Sequence, residues 1–573
     1  MPPIQILKFG SSVLRSSGDL HVAIDEIYRR FRSGYLVLAV VSAFEGITDK
    51  LVGEVAAALG SECPEAAAAF IATGESQTAA LLHGSLRRYG LPSRIADPRE
   101  IGLMAEGAPL ESMPVRVDRA ALERLWIGSP ILVLPGFFGI DPEGRIALFG
   151  RGGSDLSALF LAAALGAECR LLKDVPGVFD ADPARSADAR RFSALSWERA
   201  VQVAGPLIQP KALHYAQARA LSFEVGRPNE ATTTKVGHTH DEWESSVRPS
   251  PSTRRPLRVA LFGCGVVGRG VYETLKRYPN HFEIRHVLVR TVDRYPEIPE
   301  VSADPSLGLK DSVDVVVVCF GGIAQAYPLI AAALLANKFV VTANKGAVAS
   351  HGGALLGHTH GANRRLWCSA AVGGALPALE TLERLSSPVR EIRGILNGTC
   401  GVVLDAWADG RTREDAVALA QAQGFAEENP SRDLSGADSA DKLALLIQKA
   451  FDVWIDPVQI PTLGIDTLQH DPTGYKLIAR ATRTVQGIIA RVAPERPPPE
   501  SFLGLARGPE NRLEIELTTG EIVRFRGQGA GRWPTTVSVL GDLHEIARVV
   551  ETSRQGSTGE LRRRQVHRPV PCS

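Results

Sequence analysis

Short apolar runs alternate with amphipathic stretches from residue 4 to about residue 226. Strands are predicted at 4–9, 36–41, 131–134, 170–172 and 221–225, and helices at 19–32, 51–58, 78–89 and 156–165. Alternation of this kind argues for an α/β layer built on a mainly parallel sheet. The pattern then stops. Residues 228–256 are polar and rich in proline, which cannot bury enough surface for a core, and are read as a linker. A second α/β pattern starts at 257, with strands predicted at 258–262, 285–289, 313–319 and 339–342. Residues 392–475 break it again with a turn-rich acidic segment and an apolar-striped helix over 437–450. Runs at 513–517 and 522–526 then alternate around Thr518-Thr519-Gly520-Glu521 as a hairpin does. The polar, arginine-rich stretch 554–573 is read as an unstructured tail.

The chain has 573 residues, length for roughly three to four folding units of about 100–200 residues. Hydrophobic content of 45% and charged content of 22% are those of a globular protein, and a net charge of +1 gives no electrostatic footprint for nucleic acid or an anionic membrane. The 7 cysteines are scattered without a Cys-x-x-Cys pair, as expected of reduced thiols. No apolar run reaches the ~18 residues of a membrane span, and the first residues lack the pattern of a signal peptide. The expectation is a soluble cytoplasmic protein acting on small molecules.

Two glycine-rich loops carry the candidate chemistry. Phe149-Gly150-Arg151-Gly152-Gly153-Ser154-Asp155 opens an alanine-rich helix, and Gly263-Cys264-Gly265-Val266-Val267-Gly268 follows an apolar strand. Both present backbone N–H groups at a helix N-terminus, where an anion is favoured. Only the second has dinucleotide spacing, with the strand before it and the helix after it that such a loop needs. At the end of the next strand, where NAD-selective folds place an acid, this chain has Arg290, with Arg294 close by. A guanidinium there suits a 2′-phosphate, so NADP is expected and NAD is the alternative.

Five further segments appear in order: Val340 to Lys345, Ala370 to Pro377, Gly394 to Thr399, Gly424 to Pro430 and Asp433 to Lys442. Together with Gly527 to Gly531 and Asp542 they resemble homoserine dehydrogenase over about 257–552. Asp438 and Lys442 are four apart on a helix and share a face. Alone, such a pair is most often a solvated ion pair; in this company it reads as a pocket wall. The resemblance implies Lys442 as acid/base, oriented by Asp438, with Lys345 between nicotinamide and substrate. It implies that Glu427 accepts the substrate ammonium and that Asp433, Asn397, Gly398 and Thr399 line the site. Gly263, Gly265, Val266, Val267, Gly268, Arg290, Thr342 and Lys345 are the cofactor contacts. Ser369 stands where the family carries an acid associated with a monovalent cation, leaving backbone carbonyls at Val372, Gly374 and Leu376 for a weak one. Asn429 replaces a usual Asp.

Segments Val40 to Ala43, Gly46 to Asp49, Thr73 to Glu75, Pro135 to Gly139, Gly150 to Asp155 and Lys173 to Pro183 resemble the amino-acid kinase fold, most of all its aspartokinase branch. Phosphoryl transfer to a carboxylate needs cations around the moving phosphate more than any covalent group. Lys8 is the phosphate cation implied. Arg151 and Asp155 would clamp the acceptor, Glu75 would orient it, and Asp174 and Asp182 lie in the family's ATP segment. Ser42, Gly152 and Gly153 complete the set. The stretch Lys8-Phe9-Gly10-Ser11-Ser12-Val13 is one residue shorter than aspartokinases have and is closer to glutamate 5-kinase, so aspartate or glutamate is the acceptor.

The whole thus resembles bifunctional aspartokinase/homoserine dehydrogenases lacking their regulatory ACT domains. The expected order is a kinase domain (1–227), linker (228–256), Rossmann-type domain (257–390), α+β catalytic and dimerisation domain (391–553) and tail (554–573). NADP(H), and ATP with Mg²⁺ if the kinase half is active, are the cofactors implied, and a homodimer or homotetramer the assembly. A kinase-like half that has lost turnover and serves as a structural or sensing module is the alternative.

Overall fold

The computed structural model describes residues 2–566 except 61, 184, 187, 206, 245–254, 359–364 and 470, and the side chains as far as residue 550. It divides into two compact units, Met1–Pro249 and Ser250–Ser573.

The first unit is built on a nine-stranded sheet. Its centre is parallel: Glu168–Leu172, Ile4–Phe9, Leu36–Val41, Ile131–Pro135 and Ser93–Ile95 lie side by side in that order. Ile4–Phe9, Leu36–Val41 and Ile131–Pro135 are buried along their whole length, as continuous apolar runs covered on both faces must be. Helices Leu20–Arg32, Thr73–Arg88 and Gly153–Leu165 match the predicted ones to within a few residues. A four-stranded sheet of Met104–Ala108, Glu111–Arg116, Phe138–Ile140 and Ile146–Leu148 was not predicted, because its runs are short and half polar.

The linker expected at 228–256 is corrected in its first part. Thr233–His238 pairs with both Phe223–Gly226 and Phe192–Ser196, and Glu242–Trp243 continues the sheet at its edge. Thr234 and Val236 are the inward positions of that strand. Thr234 Oγ1 donates to the Phe192 carbonyl at 2.6 Å and accepts from Val178 N–H at 2.9 Å. Three consecutive threonines look like linker composition, yet threonine is β-branched and suits a strand once a neighbour takes its hydroxyl. Residues 245–254 of that stretch lie outside the described residues.

The second unit holds a six-stranded parallel sheet, ordered Val301–Ser302, Phe282–Leu288, Leu257–Phe262, Val315–Val318, Phe339–Thr342 and Leu366–Trp367. The chain order reverses at Leu257–Phe262, which makes the crevice beside its carboxyl end the switch point where dinucleotides bind. A five-stranded antiparallel sheet follows, with Val389–Ile395 at its centre and the expected hairpin Glu510–Leu517/Ile522–Gln528 on one side. The other side, Lys476–Thr484 with Gly487–Glu495, was not predicted. Helix Ala437–Phe451 packs its apolar face into the core beneath this sheet.

The closing helix Arg532–Val566 returns to the six-stranded sheet of the same unit, burying Val539, Leu540, Leu543 and Ile546. It runs past residue 553, so the expectation of an unstructured tail from 554 is corrected as far as Val566. No proline interrupts 535–566, and three internal glycines cost only about 1 kcal/mol each. Among the described residues no helix is long and apolar enough to cross a membrane.

Candidate functional site

In the second unit the loop Gly263 to Gly268 has the geometry its glycines demand. Gly263 has φ +95°, and a Cβ on Gly268 would stand 1.9 Å from the Gly263 carbonyl oxygen, so no other residue closes this turn. A Cβ on Gly265 would meet nothing, and Val266 beside it is 71% exposed. The loop is thus open on the side where a pyrophosphate lies against the N-terminus of helix Val266–Leu275. Arg290 follows strand Phe282–Leu288 and is exposed. Thr342 is buried, and its hydroxyl accepts the Asn344 N–H at 3.0 Å.

Asn344, which sequence reasoning did not single out, knits the crevice together. Its side chain caps helix Lys345–Gly357 and donates to the carbonyls of Phe320 and Gly322 in the facing loop. Lys345 is therefore fixed at the first turn of a helix rooted in the dinucleotide sheet.

Asp438 lies at the first turn of Ala437–Phe451, after Gly436 in the left-handed conformation. Its two oxygens take two lysines: Lys345 Nζ at 2.8 Å and Lys442 Nζ at 2.7 Å. Lys442 is buried and also donates to the Leu396 carbonyl at 2.6 Å. Asn397 Oδ1 caps helix Gly398–Ala408 by accepting Cys400 N–H. Its Nδ2 donates to Asp433 at 2.6 Å and Asp438 at 2.8 Å, joining the two carboxylates through one amide. Thr399 hydrogen-bonds the Phe425 carbonyl at 2.6 Å, and Gly398 approaches Pro509 closely enough that a Cβ would stand 2.8 Å from its carbonyl.

Burial alone would push the Asp438 carboxyl up, but Lys442 and Lys345 outweigh it and hold it well below the usual carboxylate range. The same Asp438 charge raises Lys345 against its burial, so Lys345 stays an ammonium. Asp433 is raised, first by burial and then by repulsion from Asp438. Arg432 binds Asp441 at 2.6 Å and so neutralises the second buried carboxylate of helix Ala437–Phe451. Neither residue was singled out in the sequence.

Glu427 is not brought into this cluster. It is exposed, and its carbonyl is held by Gln421 Nε2 at 3.1 Å. Val372, Gly374 and Leu376 are buried, and the Leu376 carbonyl already accepts Ala378 N–H at 2.8 Å. Ser369 donates to Asp542 at 2.7 Å. A cation on the Leu376 carbonyl would have to compete with a bond already made. Among the described residues no group of three or more His, Cys, Asp or Glu side chains could hold a metal ion.

In the first unit Asp155, at the start of helix Gly153–Leu165, again takes two lysines. Lys8 Nζ lies 2.7 Å from Oδ1 and Lys173 Nζ 3.0 Å from Oδ2. Both lysines and the aspartate are buried. Asp155 was expected to clamp an acceptor, yet both of its oxygens are already engaged, and Lys173 had been read only as part of a motif. Burial would raise Asp155, but Lys173 and Lys8 hold it at about 2. Lys8 is lowered to about 8, chiefly by burial, with Asp155 opposing and Lys173 adding repulsion.

Glu75 is buried, accepts Ala43 N–H at 3.1 Å through Oε1, and keeps Oε2 without a hydrogen-bond partner. Burial pushes it up to about 7. Ser42 and Ser154 share a 2.7 Å hydrogen bond across the loop. Gly152, with φ +73°, turns the chain into the helix, with Gly153 at its first position. Arg151 is exposed at the loop's tip. Asp174 and Asp182 are exposed; Asp174 offers its carbonyl to Arg227, and Asp182 pairs with Arg185.

Comparisons with known proteins agree with this division. The homoserine dehydrogenase of Corynebacterium glutamicum is 32% identical over 331 residues, which cover 53% of this chain and 74% of that protein. The chain belongs to the homoserine dehydrogenase family. The homoserine dehydrogenase of Lactococcus lactis is 35% identical, over 53% of this chain and 76% of that one. A homoserine dehydrogenase structure from Thiobacillus denitrificans is 28% identical over 52% of this chain and 74% of that one, with a TM-score of 0.49. The family models for homoserine dehydrogenase and its NAD-binding domain match residues 377–544 and 263–368, and that for the amino acid kinase family matches residues 3–218. The organisation is that of a bifunctional amino acid kinase and homoserine dehydrogenase. The second unit is an oxidoreductase of homoserine dehydrogenase type that takes a nicotinamide dinucleotide, and the first carries an amino acid kinase domain.

Proposed function

We propose that the second unit interconverts L-homoserine and L-aspartate 4-semialdehyde with NADP(H), and that the first phosphorylates L-aspartate with ATP. The observation that carries the first half is the pair of lysines on Asp438, one from each of the two subdomains that flank the crevice. The nicotinamide, when bound, supplies or accepts the hydride. Gly263, Gly265, Val266, Val267 and Gly268 would hold its pyrophosphate on backbone N–H groups. Arg290 would face the 2′-phosphate of NADP.

The chain's own residues handle the proton. Lys442 has three N–H donors and gives one to Leu396 and one to Asp438, which leaves one for a substrate oxygen. It donates a proton to the oxygen as a carbonyl is reduced and takes it back in the reverse direction. Lys345 keeps its charge and stabilises negative charge growing on that oxygen. Glu427, from its exposed segment, would close on the substrate ammonium, with Asp433 and Thr399 beside it.

The kinase reading rests on the buried Lys8–Asp155–Lys173 set with Glu75 beside it. Two ammonium groups and one aspartate carboxylate suit a site that receives a phosphoryl group. Magnesium would enter with the nucleotide, held by its phosphates.

Purified full-length chain is expected to oxidise NADPH with L-aspartate 4-semialdehyde. With ATP, magnesium and L-aspartate it is expected to form an acyl phosphate that hydroxylamine traps; L-glutamate is the parallel acceptor. No NADPH oxidation overturns the first half. Trapping with glutamate alone overturns the choice of aspartate, and trapping with neither acceptor overturns the kinase.

A further inference from the structure

Lys8 and Lys173 reach Asp155 from neighbouring strands. In the parallel pairing of Ile4–Phe9 with Glu168–Leu172, Phe9 lies beside Leu172, so Lys173 is the first residue beyond the strand's carboxyl end. Its N–H is pinned by the Gly226 carbonyl at 2.9 Å. Asp155 meets both lysines from the first turn of its helix, after a loop in which Gly150 and Gly152 have positive φ. All three groups stand at the carboxyl edge of the sheet, where open α/β folds bind ligands.

Two buried ammonium groups share one carboxylate, Asp155. The other acid acting on Lys8, Glu75, is pushed up to about 7 by burial, so below that pH the pocket carries an excess of positive charge. A buried excess of positive charge is costly until an anion arrives. Asp155 has both oxygens occupied and is not free for an acceptor's ammonium, whereas Glu75 has one buried, unpartnered oxygen.

We propose that Lys173 is a catalytic residue of the kinase unit, the second ammonium on the phosphoryl group in transit, with Asp155 positioning it and Lys8. This assignment rests on the kinase reading above. In the step, a carboxylate oxygen of the acceptor forms a bond to the terminal phosphorus of ATP. The bond from that phosphorus to its bridging oxygen breaks, and ADP leaves with the electron pair. No proton moves, and four negative charges on ATP plus one on the acceptor become three on ADP and two on the acyl phosphate. Lys8 and Lys173 offset charge on the phosphoryl oxygens throughout, while Glu75 takes the acceptor's ammonium.

The test is Lys173→Met in the full chain, with Lys173→Arg beside it. Met fills the space, and Asp155 keeps Lys8 as a partner, so no carboxylate is buried alone. Acyl phosphate trapping is expected to lose about 100- to 1000-fold in kcat, the usual effect of removing one preorganised donor. The KM for L-aspartate should change by less than about threefold, and Arg should restore part of the rate. A Lys173→Met kcat within about threefold of the parent overturns the assignment.

A parent chain that traps nothing sinks the kinase reading instead. The phosphate contact is then judged by equilibrium binding of a non-hydrolysable ATP analogue against ADP. A loss of about tenfold for the analogue alone supports the contact. Unchanged affinity for both nucleotides overturns it.

Discussion

Each unit buries an aspartate between two lysines at nearly the same distances, and the two sites respond in opposite ways. Lys8 lies 2.7 Å from Asp155 and falls to about 8, because burial and the nearby Lys173 outweigh the carboxylate. Lys345 lies 2.8 Å from Asp438 and is raised, because Asp438 outweighs a lesser burial and more carboxylates stand near it. The Lys345 side chain is 35% exposed, against 6% for Lys8. An Asp–Lys contact therefore does not fix a lysine's proton affinity; water and the next shell of charge do. Asn397 adds a further difference. It ties Asp438 to Asp433 in the dehydrogenase cluster, whereas in the kinase cluster the second acid, Glu75, is pushed up to about 7 and leaves an excess of positive charge below that pH. The first suits a neutral oxygen that needs one proton, and the second suits an arriving phosphate.

Removing the shared groups is the hardest test of that contrast. Lys442→Ala should lower NADPH-dependent reduction of aspartate semialdehyde by about 100- to 10,000-fold, the range for loss of a positioned acid. Asp438→Asn should cost about 100-fold or more, since both lysines lose their anchor. A Lys442→Ala enzyme within about tenfold of the parent would remove Lys442 as the acid.

The pH dependence sharpens the comparison further. The kinase kcat/KM is expected to rise as Glu75 ionises at about 7 and to fall as Lys8 loses its proton at about 8. Glu75→Gln should abolish the rising limb along with most of the activity. For folding, an unfolded lysine keeps its proton up to about 10.4 while folded Lys8 releases it earlier. The unfolded chain then binds more protons between these values, so the Lys8 contribution makes stability rise with pH there. A flat kinase profile between about 6 and 9 would contradict both assignments.

Smaller effects are expected away from the lysine pairs. Arg290→Ala should weaken NADPH by about tenfold and leave NADH unchanged, the scale of one charge-assisted hydrogen bond. Equal losses for both cofactors would remove the 2′-phosphate role. Thr234→Val should destabilise the first unit by about 1–3 kcal/mol in urea unfolding, because Val178 N–H loses its buried acceptor. No change would mean that the strand does not depend on this hydroxyl.

Local pattern made much of this legible. The parallel strands read as apolar runs, and Gly263, Gly265 and Gly268 stood at dinucleotide spacing between an apolar strand and a helix. Asp438 and Lys442 could be paired from helical period alone. Thr233–His238 was hidden because its polar residues are satisfied by Phe192 and Val178, distant in sequence. Asn344 and Arg432 were hidden for the same reason, since their partners lie on other elements.

The sequence by itself determined the two α/β patterns, the dinucleotide loop, the family resemblance, both lysines of the dehydrogenase pair and one of the kinase pair. Those depend on residue type and short spacing. Only the tertiary structure decided that Asp155 is filled by lysines rather than open to an acceptor, that Lys173 joins it, and that Lys345 meets Asp438. A buried charge takes its partner from whatever element the fold brings within about 3 Å. Separations of 18 residues between Asp155 and Lys173, or 41 between Asn397 and Asp438, leave no trace in local periodicity.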